Sequence, residues 1–178
     1  MQALKLLPGR MPPGIEATEN VVIDAMTYAN GTAIVEVEVD VETAAVHITR
    51  IVFVHDAGKI INPSIVEGQL TGAIAHGIGN ALYEWMGYGD DGQPLTTNLA
   101  DYLLMTATEM PPISLSHRES PTPLNPLGVK GVGESGVIPM SAAIASAVED
   151  ALSPFGISIT QVPIRPSDLA ALLEQAGA

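Results

Sequence analysis

Between Ser64 and Trp85 the chain sets Ile65, Leu70, Ile74, Ile78 and Leu82 at helical intervals, with Gly68, Gly72, Gly77 and Gly79 placed among them. The apolar spacing predicts a helix. Each glycine in a helix interior costs about 1 kcal/mol against alanine, so a helix with several is kept only where close backbone approach returns that energy. The glycine side of this segment is therefore expected to press against another helix or a cofactor. The rest of the fold has to meet that requirement.

On the N-terminal side, β-branched residues dominate 32–41 and 46–54 with partial alternation: Ile34, Val35, Val37 and Val39, then Val46, Ile48, Ile51 and Phe53. With Glu42-Thr43 between them, the two runs predict a hairpin. Beyond the glycine-rich helix, Asp90-Asp91-Gly92 predicts a second hairpin, 98–106 a short helix or irregular turn, and 113–117 a strand. A Pro/Gly loop follows over 119–136. Helical spacing over 138–152 ends at Pro154-Phe155-Gly156, 157–162 reads as a strand, and Pro166-Ser167-Asp168 opens a last amphipathic helix. The first 20 residues, with Pro8, Gly9, Pro12, Pro13 and Gly14, read as an extended arm, and 21–178 as one domain. At 178 residues and 47% hydrophobic content the chain buries one core, while 4% aromatics make that core Ala, Val, Ile and Leu, open to completion by a partner.

Charge narrows the range of partners. A net charge of -13, from 7 Lys+Arg against 20 Asp+Glu, repels phosphate backbones and anionic bilayers, which argues against nucleic-acid or membrane binding. With no cysteine there is no thiolate metal site and no all-Cys iron–sulfur cluster, so redox electrons would leave through another chain. The opening residues reach Pro8 and Gly9 before any long apolar stretch, unlike a secretory signal, and a soluble, cytoplasmic protein is expected.

Two segments carry candidate chemistry. Gly131-Val132-Gly133-Glu134-Ser135-Gly136 satisfies the dinucleotide-binding pattern G-x-G-x-x-G, but the lead-in 123–128 contains Pro123 and Pro126 where that motif needs a buried strand. An acidic residue closing a second strand is also missing. The small residues flanking Glu134 would instead let backbone approach a bulky ligand while one carboxylate projects, its basicity raised by desolvation. Spacing alone favours Glu134 as a first-turn carboxylate that stabilises the helix dipole. Gln69, between glycines, offers an amide that donates and accepts toward a heterocycle edge, or else simply faces solvent. His76 lies in the same glycine-rich stretch and reads as structural. His47, His55 and His117 lack metal-ligand spacing, and Asp56 with Gly58 and Asn62-Pro63 reads as ordinary turn chemistry.

Several of these motifs occur in one order. Gly14-Ile15-Glu16-Ala17-Thr18, His55-Asp56-Ala57-Gly58-Lys59-Ile60-Ile61-Asn62-Pro63, Val66-Glu67-Gly68-Gln69 and the run from Pro121 to Glu134 together resemble the C-terminal part of the molybdopterin-binding large subunit of the xanthine oxidase family, especially its aldehyde oxidase and carbon monoxide dehydrogenase-like members. The resemblance implies an α+β fold, the C-terminal portion of a molybdenum-cofactor-binding domain with a mixed sheet and packed helices. It implies that Glu134 is the base toward a hydroxyl on molybdenum, in the hydroxylation of an aldehyde or N-heterocycle with water as oxygen source. Gln69, Lys130, Gly131, Val132 and Gly133 would contact the pterin, expected in its cytosine dinucleotide form. The expected partners are a larger molybdopterin-binding subunit, a [2Fe–2S] subunit and an FAD subunit, since this chain lacks those parts. It would then be a split or truncated subunit. A non-catalytic remnant that folds or oligomerises without cofactor is the alternative.

Overall fold

A computed structural model describes residues 17–22 and 25–177. Most of the expected N-terminal arm, and Gly14-Ile15-Glu16 of the first motif, lie outside the described residues. Among the described residues the first regular element is β1 (Asn30–Asp40), which pairs antiparallel with β2 (Ala45–Asp56). The predicted hairpin is present. Its turn closes on Asp40, whose Oδ1 accepts from the backbone N–H of Glu42 (2.9 Å) and Thr43 (3.1 Å), as expected of an Asx turn. The alternation on β2 was only partial because the register shifts between Glu36 and Val37, opposite Arg50 and Ile48. The extra residue, Thr49, donates its hydroxyl to Glu36 O. A bulge of this kind moves the buried set from Ile48 to Ile51, Phe53 and His55 without turning the strand inside out.

β3 (Ile113–His117) joins the other edge of β2 in parallel, giving a mixed three-stranded sheet in the order β1-β2-β3. The glycine-rich helix, α1 (Pro63–Leu82), begins on Asn62, whose side chain accepts from Ile65 N–H, with Pro63 in the first turn where its missing donor is harmless. α2 (Val137–Ala151) packs against both α1 and β1. α3 (Pro166–Ala176) closes the chain. One face of the sheet, carrying Ile51 and Phe53, meets Leu70, Ile74 and Ile78 of α1, Met140, Ile144 and Val148 of α2, and Leu169 and Leu173 of α3 in one cluster. Each such buried aliphatic contributes roughly 1.5–3 kcal/mol relative to exposure. The opposite face leaves Ile34 and Glu36 to solvent. The expected α+β mixed-sheet architecture is what forms.

The glycine requirement is half met within the chain. A Cβ on Gly77 would stand 2.4 Å from Met140 Cβ, so α1 and α2 touch there at backbone distance. A Cβ on Gly68 or Gly72 would meet nothing within 4 Å.

Two expected elements differ. Residues 157–162 form no strand. Ile159 N–H is taken by the Glu149 carboxylate and Ile164 N–H by Ala81 O, so the segment is tied to helices and lacks a ladder partner. The second hairpin reduces to one bridge between Tyr88 and Pro94, because Thr96 spends its hydroxyl on Trp85 O and Gly87 N–H instead of extending a ladder. Residues 98–106 form turns and bends only.

Candidate functional site

The segment that carries Glu134 is tied down on two sides. On the first side it is zipped to the end of β2. Lys59 N–H donates to Gly128 O (2.9 Å) and Lys130 N–H to Ala57 O (2.8 Å). Gly58 and Gly128 both have φ +68°, and a Cβ on Gly58 would stand 2.2 Å from Gly128 O, so glycine is needed for both turn and approach. Asn125 brackets Val129, donating to its carbonyl (2.9 Å) and accepting from its N–H (3.0 Å). Beneath these bonds the Lys130 ammonium meets Asp56 Oδ2 at 2.7 Å, with the two side chains 10% and 12% exposed. Asp56 Oδ1 also accepts from Gly58 N–H (2.8 Å) and Ser120 N–H (3.1 Å). Burial pushes the Asp56 carboxyl up, but the Lys130 ammonium and the two backbone donors outweigh it and hold it below the usual carboxylate range.

On the second side the loop lies on α1. Val132 is partly buried against the core. The chain then turns, with Ser135 N–H donating to Val132 O and Val137 N–H to Glu134 O, and enters α2. At Gly136 a Cβ would stand 2.8 Å from Leu70 O and 2.9 Å from Ala73 Cβ, which seats the start of α2 on the first half of α1. Gln69 is on the same stretch of α1. Its Nε2 lies 3.7 Å from where a Cβ on Gly133 would be.

The residues singled out in the sequence therefore come together only in part. Gln69 and Gly133 are neighbours, and Gly131, Gly133, Gln69 and Glu134 are all exposed, while Lys130 and Val132 are half-buried. Lys130 and Gly131 line an open cavity of about 580 Å³ with Asn125 and Val129. Among the described residues nothing encloses Glu134: Val132 is partly buried and Glu134 is exposed at the mouth of α2. Any burial of it has to come from groups beyond the described residues. His76 is exposed on α1.

The turn chemistry expected at Asp56 is present in its bond from Gly58 N–H, but its pairing with Lys130 has no local signature in the sequence. The available signal is only its place at the end of a hydrophobic strand, where a carboxylate needs a partner. His55 is buried at 1% exposure, and all the ring nitrogens of His55 and of its strand neighbour His117 are buried without a hydrogen-bond partner among the described residues. Burial, reinforced by His117 and opposed by Asp56, lowers the His55 pKa. No group of three or more metal-ligating side chains occurs among the described residues. No helix there is long and apolar enough to cross a membrane.

Residues 12–111 match the family model described as the molybdopterin cofactor-binding domain. The chain is 42% identical over 158 residues to the gamma subunit of the 6-hydroxypseudooxynicotine dehydrogenase complex of Paenarthrobacter nicotinovorans, covering 88% of this chain and 20% of that protein. Among solved structures it is similar to quinoline 2-oxidoreductase from Pseudomonas putida 86, with a TM-score of 0.81 and 44% identity over 83% of this chain and 19% of the other. It is also similar to the Cu,Mo-CO dehydrogenase, with a TM-score of 0.88 and 30% identity over 98% of this chain and 22% of the other. The chain thus spans about a fifth of the length of the relatives it matches.

Proposed function

We propose that this chain, which belongs to the molybdopterin cofactor-binding domain family of the molybdenum hydroxylases, supplies the Glu134 segment of a hydroxylase acting on an aldehyde or N-heterocycle. The observation that carries the reading is the juxtaposition of the Gln69 amide with Gly133, next to Glu134, from segments well separated in the chain. The chain's own residues fit a large heterocyclic cofactor. A Cβ at Gly68, Gly72 or Gly131 would meet nothing within 4 Å, so backbone is open to close approach, and the exposed Gln69 amide matches a ring edge that both donates and accepts. When bound, the cofactor, in its cytosine dinucleotide form, supplies the two-electron acceptor, with water as the source of oxygen.

Glu134 holds or takes up a proton at its carboxylate oxygen. The Val137 N–H bond to its carbonyl holds its backbone at the mouth of α2, where the side chain is exposed. Gln69 and the backbone of Lys130, Gly131, Val132 and Gly133 orient the pterin. The exposed carboxylate and the open glycines of α1 call for a second wall that excludes water. That wall belongs to the rest of a molybdopterin-binding subunit, working with a [2Fe–2S] subunit and an FAD subunit that carry electrons away.

The test is purification of the chain from its native host with assay of co-purifying proteins, molybdenum and pterin. Recovery with a larger molybdopterin-binding polypeptide and with molybdenum is the expected result. Recovery of the chain alone and metal-free would overturn the reading and leave a non-catalytic remnant.

A further inference from the structure

A carboxylate at a strand end that served only its own turn would accept from the N–H two residues on, as Asp56 does from Gly58. Asp56 does more. It also accepts from Ser120 N–H and from the Lys130 ammonium, groups 64 and 74 residues away in the chain. Three segments, 56–58, 118–120 and 128–130, converge on one side chain. The pair is also nearly buried, and a buried pair is rarely the cheapest way to gain stability, since well-packed apolar side chains do as well. What an ion pair adds is a fixed distance and direction between two backbones. With its side chain committed inward to Asp56, Lys130 leaves the exposed backbone of Gly131 and Gly133 facing outward, and Glu134 follows within one turn.

We propose that Asp56 and Lys130 are positioning residues, a buried pair that fixes the 131–134 loop against the end of β2 and thereby aims Glu134. The part of this that concerns catalysis rests on the role proposed above for Glu134; the part that concerns loop order does not. Losing the pair loosens the backbone bonds between the 128–130 segment and the end of β2 without unfolding the domain, because Val132 stays against the core.

Asp56→Asn isolates the pair. The amide oxygen still accepts from Gly58 and Ser120, while the charge and the acceptor facing Lys130 are lost, an NH2 group now standing opposite the ammonium. In amide hydrogen exchange on the full chain, the N–H groups of Lys59, Lys130 and Ser135, bonded to Gly128 O, Ala57 O and Val132 O, are expected to exchange about 10-fold or more faster, while Ile51, Phe53, Leu70 and Ile74 keep their protection. The double variant Asp56→Asn/Lys130→Met removes the stranded ammonium. It is expected to regain the wild-type melting temperature while the loop stays fast-exchanging. Unchanged protection at Lys59, Lys130 and Ser135 in Asp56→Asn, a uniform loss across the core, or recovery of that protection in the double variant would each overturn the proposal.

In the assembled enzyme the same Asp56→Asn change is expected to lower kcat by about 10-fold with little change in KM, and to reduce retained pterin. Full turnover in Glu134→Gln alongside loosened exchange in Asp56→Asn would remove the catalytic role of Glu134 and leave the positioning pair standing.

Discussion

Gly72→Ala and Gly77→Ala change the same helix by the same methyl group and are expected to act in opposite directions. At position 72 a Cβ meets nothing within 4 Å, so the substitution only removes the entropic cost of glycine, a gain of about 1 kcal/mol. At position 77 the new methyl would lie 2.4 Å from Met140 Cβ and 3.4 Å from Val137 Cα. Carbon contacts settle at about 3.5–4.0 Å, so α1 and α2 must separate by roughly 1 Å. At so close a contact the overpacking cost lies in the upper part of the usual range, about 2–3 kcal/mol, and the same propensity gain of about 1 kcal/mol offsets part of it, leaving a net loss of about 1–2 kcal/mol. For a domain of this size each kcal/mol moves the melting temperature by about 2–4 °C, so the two variants should fall on opposite sides of wild type and differ by about 4–12 °C. Thermal melts of the chain, checked by urea titration, make the comparison. The open glycine also bears on function: in an assembled enzyme Gly72→Ala should retain less pterin although the chain itself is more stable. A Gly77→Ala variant as stable as wild type, or a destabilised Gly72→Ala, would refute the reasoning from the glycine geometry.

The buried imidazole makes stability depend on pH. Since the folded-state pKa of His55 lies below its ordinary 6.5, its contribution is present above pH about 6.5 and is lost as pH falls below that value, because the unfolded chain then binds the extra proton. Urea titrations at pH 5 and 7.5 should show the loss in wild type and a smaller one in His55→Phe, which also removes two unpartnered buried nitrogens. Asp56, held below its ordinary 3.8, contributes stability above that value that disappears as pH falls through its lower folded-state pKa. The acid limb of the stability curve should therefore flatten in Asp56→Asn. Asn62→Ala removes the side-chain cap on Ile65 N–H and should cost about 1 kcal/mol by the same titration.

The elements that the residues announce are those set by local pattern. The α1 stripe of Leu70, Ile74 and Ile78, the capping Asn62-Pro63 and the α3 opening at Pro166 are written in side-chain type and spacing. The elements that went astray were decided by partners that spacing does not reveal. Ile157, Ile159 and Val162 have the composition of a strand, but Glu149 and Ala81 take the backbone bonds at 159 and 164 that a ladder would need. The bulge at Thr49 is visible only as a break in alternation.

The same division runs through the site. Gln69 and Glu134 stand out on their chemistry and their likeness to a family, and the structure adds the proximity of the Gln69 amide to Gly133. The pairing of Asp56 is not legible because its nearest visible role, the turn at Gly58, is satisfied locally, whereas Ser120 and Lys130 reach it only through the fold. The burial expected around Glu134 is absent among the described residues for a related reason. Small flanking residues permit a ligand to approach, but they do not enclose the carboxylate.

The most direct measurement of the central claim is turnover and metal content of Glu134→Gln in the complex recovered from the native host. The amide keeps the shape of the side chain and cannot accept the proton at neutral pH. Turnover should therefore fall by about 100-fold or more while molybdenum and pterin stay at wild-type levels. Wild-type turnover with the amide in place would contradict the assignment of Glu134 as the base.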